Sequence, residues 1–357
     1  MAEDMSSALL KAQIFDITAP NKSTKVVGGE CSGILNWDDI REPKFYKLYR
    51  VMLGNHWIPD EIPMEKDAKI FHTLSPARQN AYLKTIGLLA VLDSVQTVFV
   101  GDVGAYLTDS SLQAIMGIIG QQEIVHNQSY SYCLSSVVDF DTQKSVFEYW
   151  KHDPILLERN LFITTVYQKF RDNPTPQTFF EALVMDIILE GIDFYSAFAF
   201  FYSLARDGAM LATSQMMSYI QRDEQHHVYG MAEIFKLLLL DYPELATPEN
   251  IDGARKTIAR AVEHELNWGR HILTDVENID LDELAEYIKA TANKRLKQMG
   301  LEKLYDVDVP ENVMPWIRPF TDEALASTKT DFFEGKSRNY GKVSKANGFD
   351  RLRGGRG

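Results

Sequence analysis

Gln122-Glu123-Ile124-Val125-His126-Asn127-Gln128-Ser129-Tyr130 and, about a hundred residues later, Arg222-Asp223-Glu224-Gln225-His226-His227 each carry a Glu-x-x-His unit inside a long apolar-periodic segment. On a helix, residues three apart lie one above the other, so Glu123 pairs with His126 and Glu224 with His227. A carboxylate and an imidazole aimed together into a helical core are costly there unless a positive charge lies between them. A metal ion is the simplest such charge.

One Glu-x-x-His arises by chance on many helices. Here each is preceded by a long apolar segment with a lone acid. Asp93 stands thirty residues before Glu123, and Glu190 thirty-four before Glu224. The plan reads twice: a helix with one carboxylate, then a helix with Glu-x-x-His. That is the ligand pattern of ferritin-like di-iron or di-manganese bundles, with Asp in place of one Glu. Four carboxylates and two imidazoles suit two iron or two manganese ions per chain. Zinc fits less well, since no cysteine is in the set.

Around this centre the chain reads as all-α, with almost no period-two alternation. Residues 1–35 form an irregular lead-in, 36–310 the helical domain and 311–357 a flexible tail. Ser75-Pro76 opens a helix to about 103, and Asp109 or Ser110 one to about 137. Pro174-Thr175-Pro176 begins a helix carrying Glu190 that runs on to Asp207-Gly208. Further helices span about 210–240, 247–273 and 281–299. From 336 the tail has seven Lys or Arg against one acid, with seven Gly or Ser, too little apolar surface to order itself.

A net charge of −13 argues against non-specific nucleic-acid binding. The apolar runs at 86–101 and 183–205 contain Asp93, Asp186, Glu190 and Asp193, which makes them buried bundle helices, not membrane spans. Two cysteines and the absence of a signal-like start in residues 1–5 fit a reducing cytoplasm. Cys133 is expected to pack as a small apolar residue, and His226, off the His227 face, to stand behind the ligands or simply to pack.

Tyr130 returns to the His126 face one turn on, where a phenol beside an oxygen-activating metal pair can lose one electron. Phe194, Phe198 and Ile220 are candidates for a dry cage around it. Read alone, Phe194 and Phe198 fit ordinary core packing better.

The chain resembles the radical-generating small subunit of class I ribonucleotide reductase over nearly its whole length. The resemblance rests on Leu92-Asp93-Ser94-Val95-Gln96, Glu123-x-x-His126-x-x-x-Tyr130, Glu190-x-x-x-Phe194-Tyr195 and Arg222-Asp223-Glu224-x-x-His227. It implies that Asp93, Glu123, His126, Glu190, Glu224 and His227 hold two metals, and that Tyr130 carries a stable radical. It also implies a relay through Trp57 and Asp223 to Tyr340 and on to a large catalytic subunit. By resemblance, the imidazole that Asp223 supports is His126. The family implies a homodimer; Gly54-Asn55-His56-Trp57 and the Asp331-Phe332-Phe333 tail look closest to bacterial class Ib forms, which can use manganese with a flavodoxin-like activation protein as well as iron. The basic end Arg351-Leu352-Arg353 departs from the acidic tails common in the family. Two other readings stay open: a di-metal oxidase acting directly on a small or fatty substrate, and a ferritin-like metal store.

Overall fold

The computed structural model describes residues 7–321. Eleven principal helices build it: α1 (Pro43–Gly54), α2 (Glu65–Phe71), α3 (Pro76–Tyr106), α4 (Ser110–Val137), α5 (Phe140–Glu148), α6 (Pro154–Asp172), α7 (Pro176–Gly191), α8 (Tyr195–Arg206), α9 (Leu211–Asp241), α10 (Pro248–Leu273) and α11 (Leu281–Met299). Among the described residues the sole β contact is a bridge between Val27 and Leu107. The expected all-α, ferritin-like bundle is what forms.

Most starts follow from local chemistry. Ser75 caps α3 by accepting from Arg78 N–H, Asp109 caps α4, Asp153 caps α6, and Thr175 forms a reciprocal capping box with Thr178 on α7. Proline at the first helical position fixes φ for α3, α6, α7 and α10.

Helix α9 lacks such a cap. It follows Met210, which has a left-handed φ of 50° and no capping side chain. The cap comes from another helix: buried Asp67 of α2 accepts from Ala212 N–H at 3.2 Å, Thr213 N–H at 2.8 Å and Thr213 Oγ1 at 2.8 Å.

α3 packs on α4, α7 on α9, and α4 on α9, which joins the two pairs. α7 is the innermost helix, buried without interruption from Ala182 to its end. By length and composition α3 alone among the described residues is apolar enough to cross a membrane. Its apolar face is instead packed into the bundle, and it carries the buried polar groups Asp93 and Gln96.

The single helix expected from 176 to 207 is two. It breaks at Ile192–Phe194, where α7 ends and α8 restarts at Tyr195. The freed backbone groups find buried charged partners. Arg295 Nε donates to the Gly191 carbonyl at 2.9 Å, Arg159 to the Asp193 carbonyl, and Glu265 Oε1 accepts from Ser196 N–H at 3.0 Å. Gly191 permits this approach: a Cβ there would sit 2.8 Å from Arg295 Nε. Phe194 therefore lies in the break, and counting four and eight from Glu190 no longer places Phe194 and Phe198 on its face.

Residues 311–321, expected within the tail, pack on the body. Met314 and Ile317 are buried, Trp316 donates to Glu283 at 3.0 Å, and Phe320 stacks on Tyr202. The basic segment from 336, and Tyr340 with it, lies outside the described residues.

Candidate metal centre

The four long inner helices bring the six predicted ligands together. Asp93, Glu123, His126 and Glu224 offer atoms all within 4.8 Å of one another, and so do Glu123, Glu190, Glu224 and His227. Glu123 and Glu224 belong to both groups. The arrangement thus has two ends, Asp93 with His126 and Glu190 with His227, and two shared carboxylates between them. All six side chains are fully buried.

Both imidazoles turn Nδ1 toward the carboxylates. His126 Nδ1 lies 3.1 Å from Glu224 Oε1, and His227 Nδ1 lies 3.0 Å from Glu224 Oε2 and 3.1 Å from Glu123 Oε1. Their Nε2 atoms face outward, His126 to Asp223 Oδ2 at 3.4 Å and His227 to Gln122 Oε1 at 2.9 Å. Asp223 Oδ2 also accepts from Trp57 Nε1 at 2.9 Å. Arg222 holds the other oxygen of Asp223 at 3.1 Å.

The electrostatics are those of crowded acids. Burial and the neighbouring carboxylates push the Asp93, Glu123 and Glu190 carboxyls above their ordinary range. Burial acts the same way on Glu224, but the two imidazoles outweigh it and hold that carboxyl down. Burial lowers the histidines, yet their acidic partners prevail and carry both to about 10. The cluster therefore attracts positive charge strongly.

Both Asp93 oxygens, both Glu123 oxygens, Glu190 Oε2, Glu224 Oε1 and His126 Nδ1 have no hydrogen-bond partner among the described residues. Buried polar atoms are normally satisfied. Orphans that converge from four helices, all oxygen or imidazole nitrogen, fit a pair of iron or manganese ions.

Tyr130 is fully buried on α4, and its hydroxyl likewise has no hydrogen-bond partner among the described residues. Burial and the adjacent Asp93 carboxylate raise its pKa well above the usual phenol value, so it stays protonated. Phe194, Phe198 and Ile220 are fully buried. Cys133 is buried as expected, with its thiol pushed up to about 12 by that burial.

Sequence reasoning missed Gln122, and it missed a network behind Glu190. Gln96 Nε2 donates to Glu190 and to Asp186 Oδ1, and Tyr167 O–H donates to Gln96 Oε1 at 3.0 Å. Gln96 stands three residues after Asp93, the same offset that pairs Glu with His, and that spacing was the available signal.

Residues 34–313 match the model of the family described as ribonucleotide reductase, small chain. The chain belongs to the ribonucleotide reductase small-chain family. It is 52% identical over 345 residues, 96% of this chain and 99% of the relative, to the ribonucleoside-diphosphate reductase subunit beta of Halalkalibacterium halodurans. It is also similar to a solved ribonucleotide reductase R2 subunit from Clostridium botulinum, at 36% identity and a TM-score of 0.85, covering 88% of this chain and 99% of that one. The fold is shared with the dimanganese(II)-NrdF of Streptococcus sanguinis, at 21% identity and a TM-score of 0.70, covering 80% and 98%.

This small chain therefore serves ribonucleoside-diphosphate reductase, and as a class I small subunit it works with a large subunit. The direct-oxidase and metal-store readings give way to that role.

Proposed function

We propose that Asp93, Glu123, His126, Glu190, Glu224 and His227 hold two iron or two manganese ions, and that Tyr130 stores the oxidising equivalent as a tyrosyl radical. The relay runs through Trp57 and Asp223 to Tyr340 and the large subunit, with the tail of 311–357, whose first residues pack on the body, as the docking segment. When bound, the metal pair supplies one-electron oxidation after meeting oxygen or a reduced-oxygen oxidant.

The observation that carries this reading is the convergence of unpartnered donors on Tyr130's side of α4, with Trp57 joined to the same cluster through Asp223 and His126. The protein's own part is orientation and dryness. Asp223 accepts from Trp57 and, through its facing of His126 Nε2, favours the tautomer that leaves Nδ1 free. Trp57 is buried, and its ring lies 6.4 Å from that of His126.

A homodimer, a cytoplasmic setting and a flavodoxin-like activation protein complete the proposal. Apolar Val98 on α3 and Ile124 on the adjoining α4 are exposed, which supports a covered face.

Replacing Tyr130 tests the assignment. Tyr130→Phe is expected to keep two metals per chain, lose the tyrosyl resonance and lose turnover with the large subunit. A tyrosyl signal that persists in this variant places the radical elsewhere.

A further inference from the structure

His126 and His227 are held in matching ways, but by partners of different chemistry. Each presents Nδ1 to the carboxylates, so each serves a metal through Nδ1 only with its proton on Nε2. For His126 the outward partner is the Asp223 carboxylate. For His227 it is the amide oxygen of Gln122, 2.9 Å from Nε2. Gln122 is 3% exposed and adjoins Glu123, so one short stretch of α4 supplies both a shared carboxylate and the brace for the facing helix's imidazole. A reversed amide would donate to Nε2 and put the ring proton on Nδ1, against the cluster.

We propose that Gln122 is the positioning residue for the Glu190–His227 end of the centre, as Asp223 is for the Asp93–His126 end. This rests on the metal-pair reading. The two braces are not equivalent. An amide oxygen accepts a hydrogen bond without taking the proton, whereas a carboxylate can do both. Gln122 therefore orients and stops there, whereas the Asp223 brace continues on to Trp57.

The test is a titration of the metal-free full-length protein with Mn(II), following free Mn(II) by its electron paramagnetic resonance. The parent is expected to bind two ions. Gln122→Met removes the acceptor at similar length and is expected to weaken one stepwise constant by about 10–100-fold while the other holds. Gln122→Glu restores an acceptor and returns the second ion. Asp223→Ala weakens the other constant, and the double variant weakens both. Far-ultraviolet circular dichroism confirms folding of each.

A folded Gln122→Met protein with both constants at parent values overturns the inference, as does one in which both fall together. Should Gln122→Met fail to fold, loss of the second ion in Gln122→Glu overturns it. A parent that binds fewer than two ions sinks the metal reading itself, a distinct result.

Discussion

Trp57 Nε1 donates to Asp223 Oδ2 at 2.9 Å, and that same oxygen faces His126 Nε2 at 3.4 Å. One carboxylate oxygen thus links the buried indole of Trp57 to an imidazole of the candidate centre. Burial alone would raise Asp223, but His126, Arg222 and Trp57 outweigh it and keep the carboxyl below its ordinary range. An ionised acceptor is what both N–H donors need.

That geometry separates holding from transfer. Asp223→Asn keeps an oxygen for His126 and is expected to bind two metals and form the Tyr130 radical. Turnover with the large subunit should fall by at least about 10–100-fold. Radical yield from paramagnetic resonance, set beside deoxyribonucleotide formation, checks it; full turnover removes Asp223 from the relay.

The proposed relay also includes Tyr340, which lies in the tail. Tyr340→Phe should retain the Tyr130 radical at parent yield and abolish turnover. An active Tyr340→Phe protein contradicts its place in the path.

Asp67 caps α9, the helix that carries Asp223, Glu224 and His227. Asp67→Ala leaves two backbone N–H groups and the Thr213 hydroxyl without their acceptor. A loss of about 2 kcal/mol in denaturant unfolding is expected, with Asp67→Asn milder. An unchanged midpoint in Asp67→Ala shows that α9 does not need the cap.

That the six candidate ligands would converge was legible because helical spacing is local: Glu-x-x-His and a lone acid in an apolar run can be seen without neighbours. Helix starts at Ser75, Asp109 and Thr175 were legible for the same reason. The break at Ile192–Phe194 was not. Nothing between Gly191 and Tyr195 demands it; what stabilises it is Arg159, Glu265 and Arg295, the first 34 residues away from Asp193 and the last 104 from Gly191. Asp67 and Gln122 were invisible likewise, since their partners lie 146 and 105 residues away.

Those distant partners make the break testable. Glu265 Oε2 pairs with buried Arg159 at 2.6 Å, and Oε1 serves Ser196. Glu265→Ala removes the close carboxylate of the buried Arg159 guanidinium, leaving only Asp193 Oδ1 at 3.8 Å among the described acids, and should destabilise the fold by about 3 kcal/mol. Calorimetry reads this as a lowered Tm, and a shift within error would mean the cluster is solvated.

Asp153 supplies a pH dependence away from the centre. Burial pushes its carboxyl up, but Tyr149 O–H, Leu156 N–H and His271 together hold it below the ordinary range. Its contribution is therefore full above a pH of about 4, the unfolded value, and is lost as pH falls through the lower folded value. Tm measured against pH should show Asp153→Asn less stable than the parent at neutral pH, the gap closing in acid. A gap that stays constant in acid would contradict the assignment.

The most direct test of the central claim is metal analysis joined to the electron paramagnetic resonance spectrum of the protein isolated from its own cells. Two iron or two manganese ions per chain are expected, together with a tyrosyl signal. A fully loaded centre with a metal-centred signal and no tyrosyl radical would contradict it, moving the stored oxidant from Tyr130 to the metals.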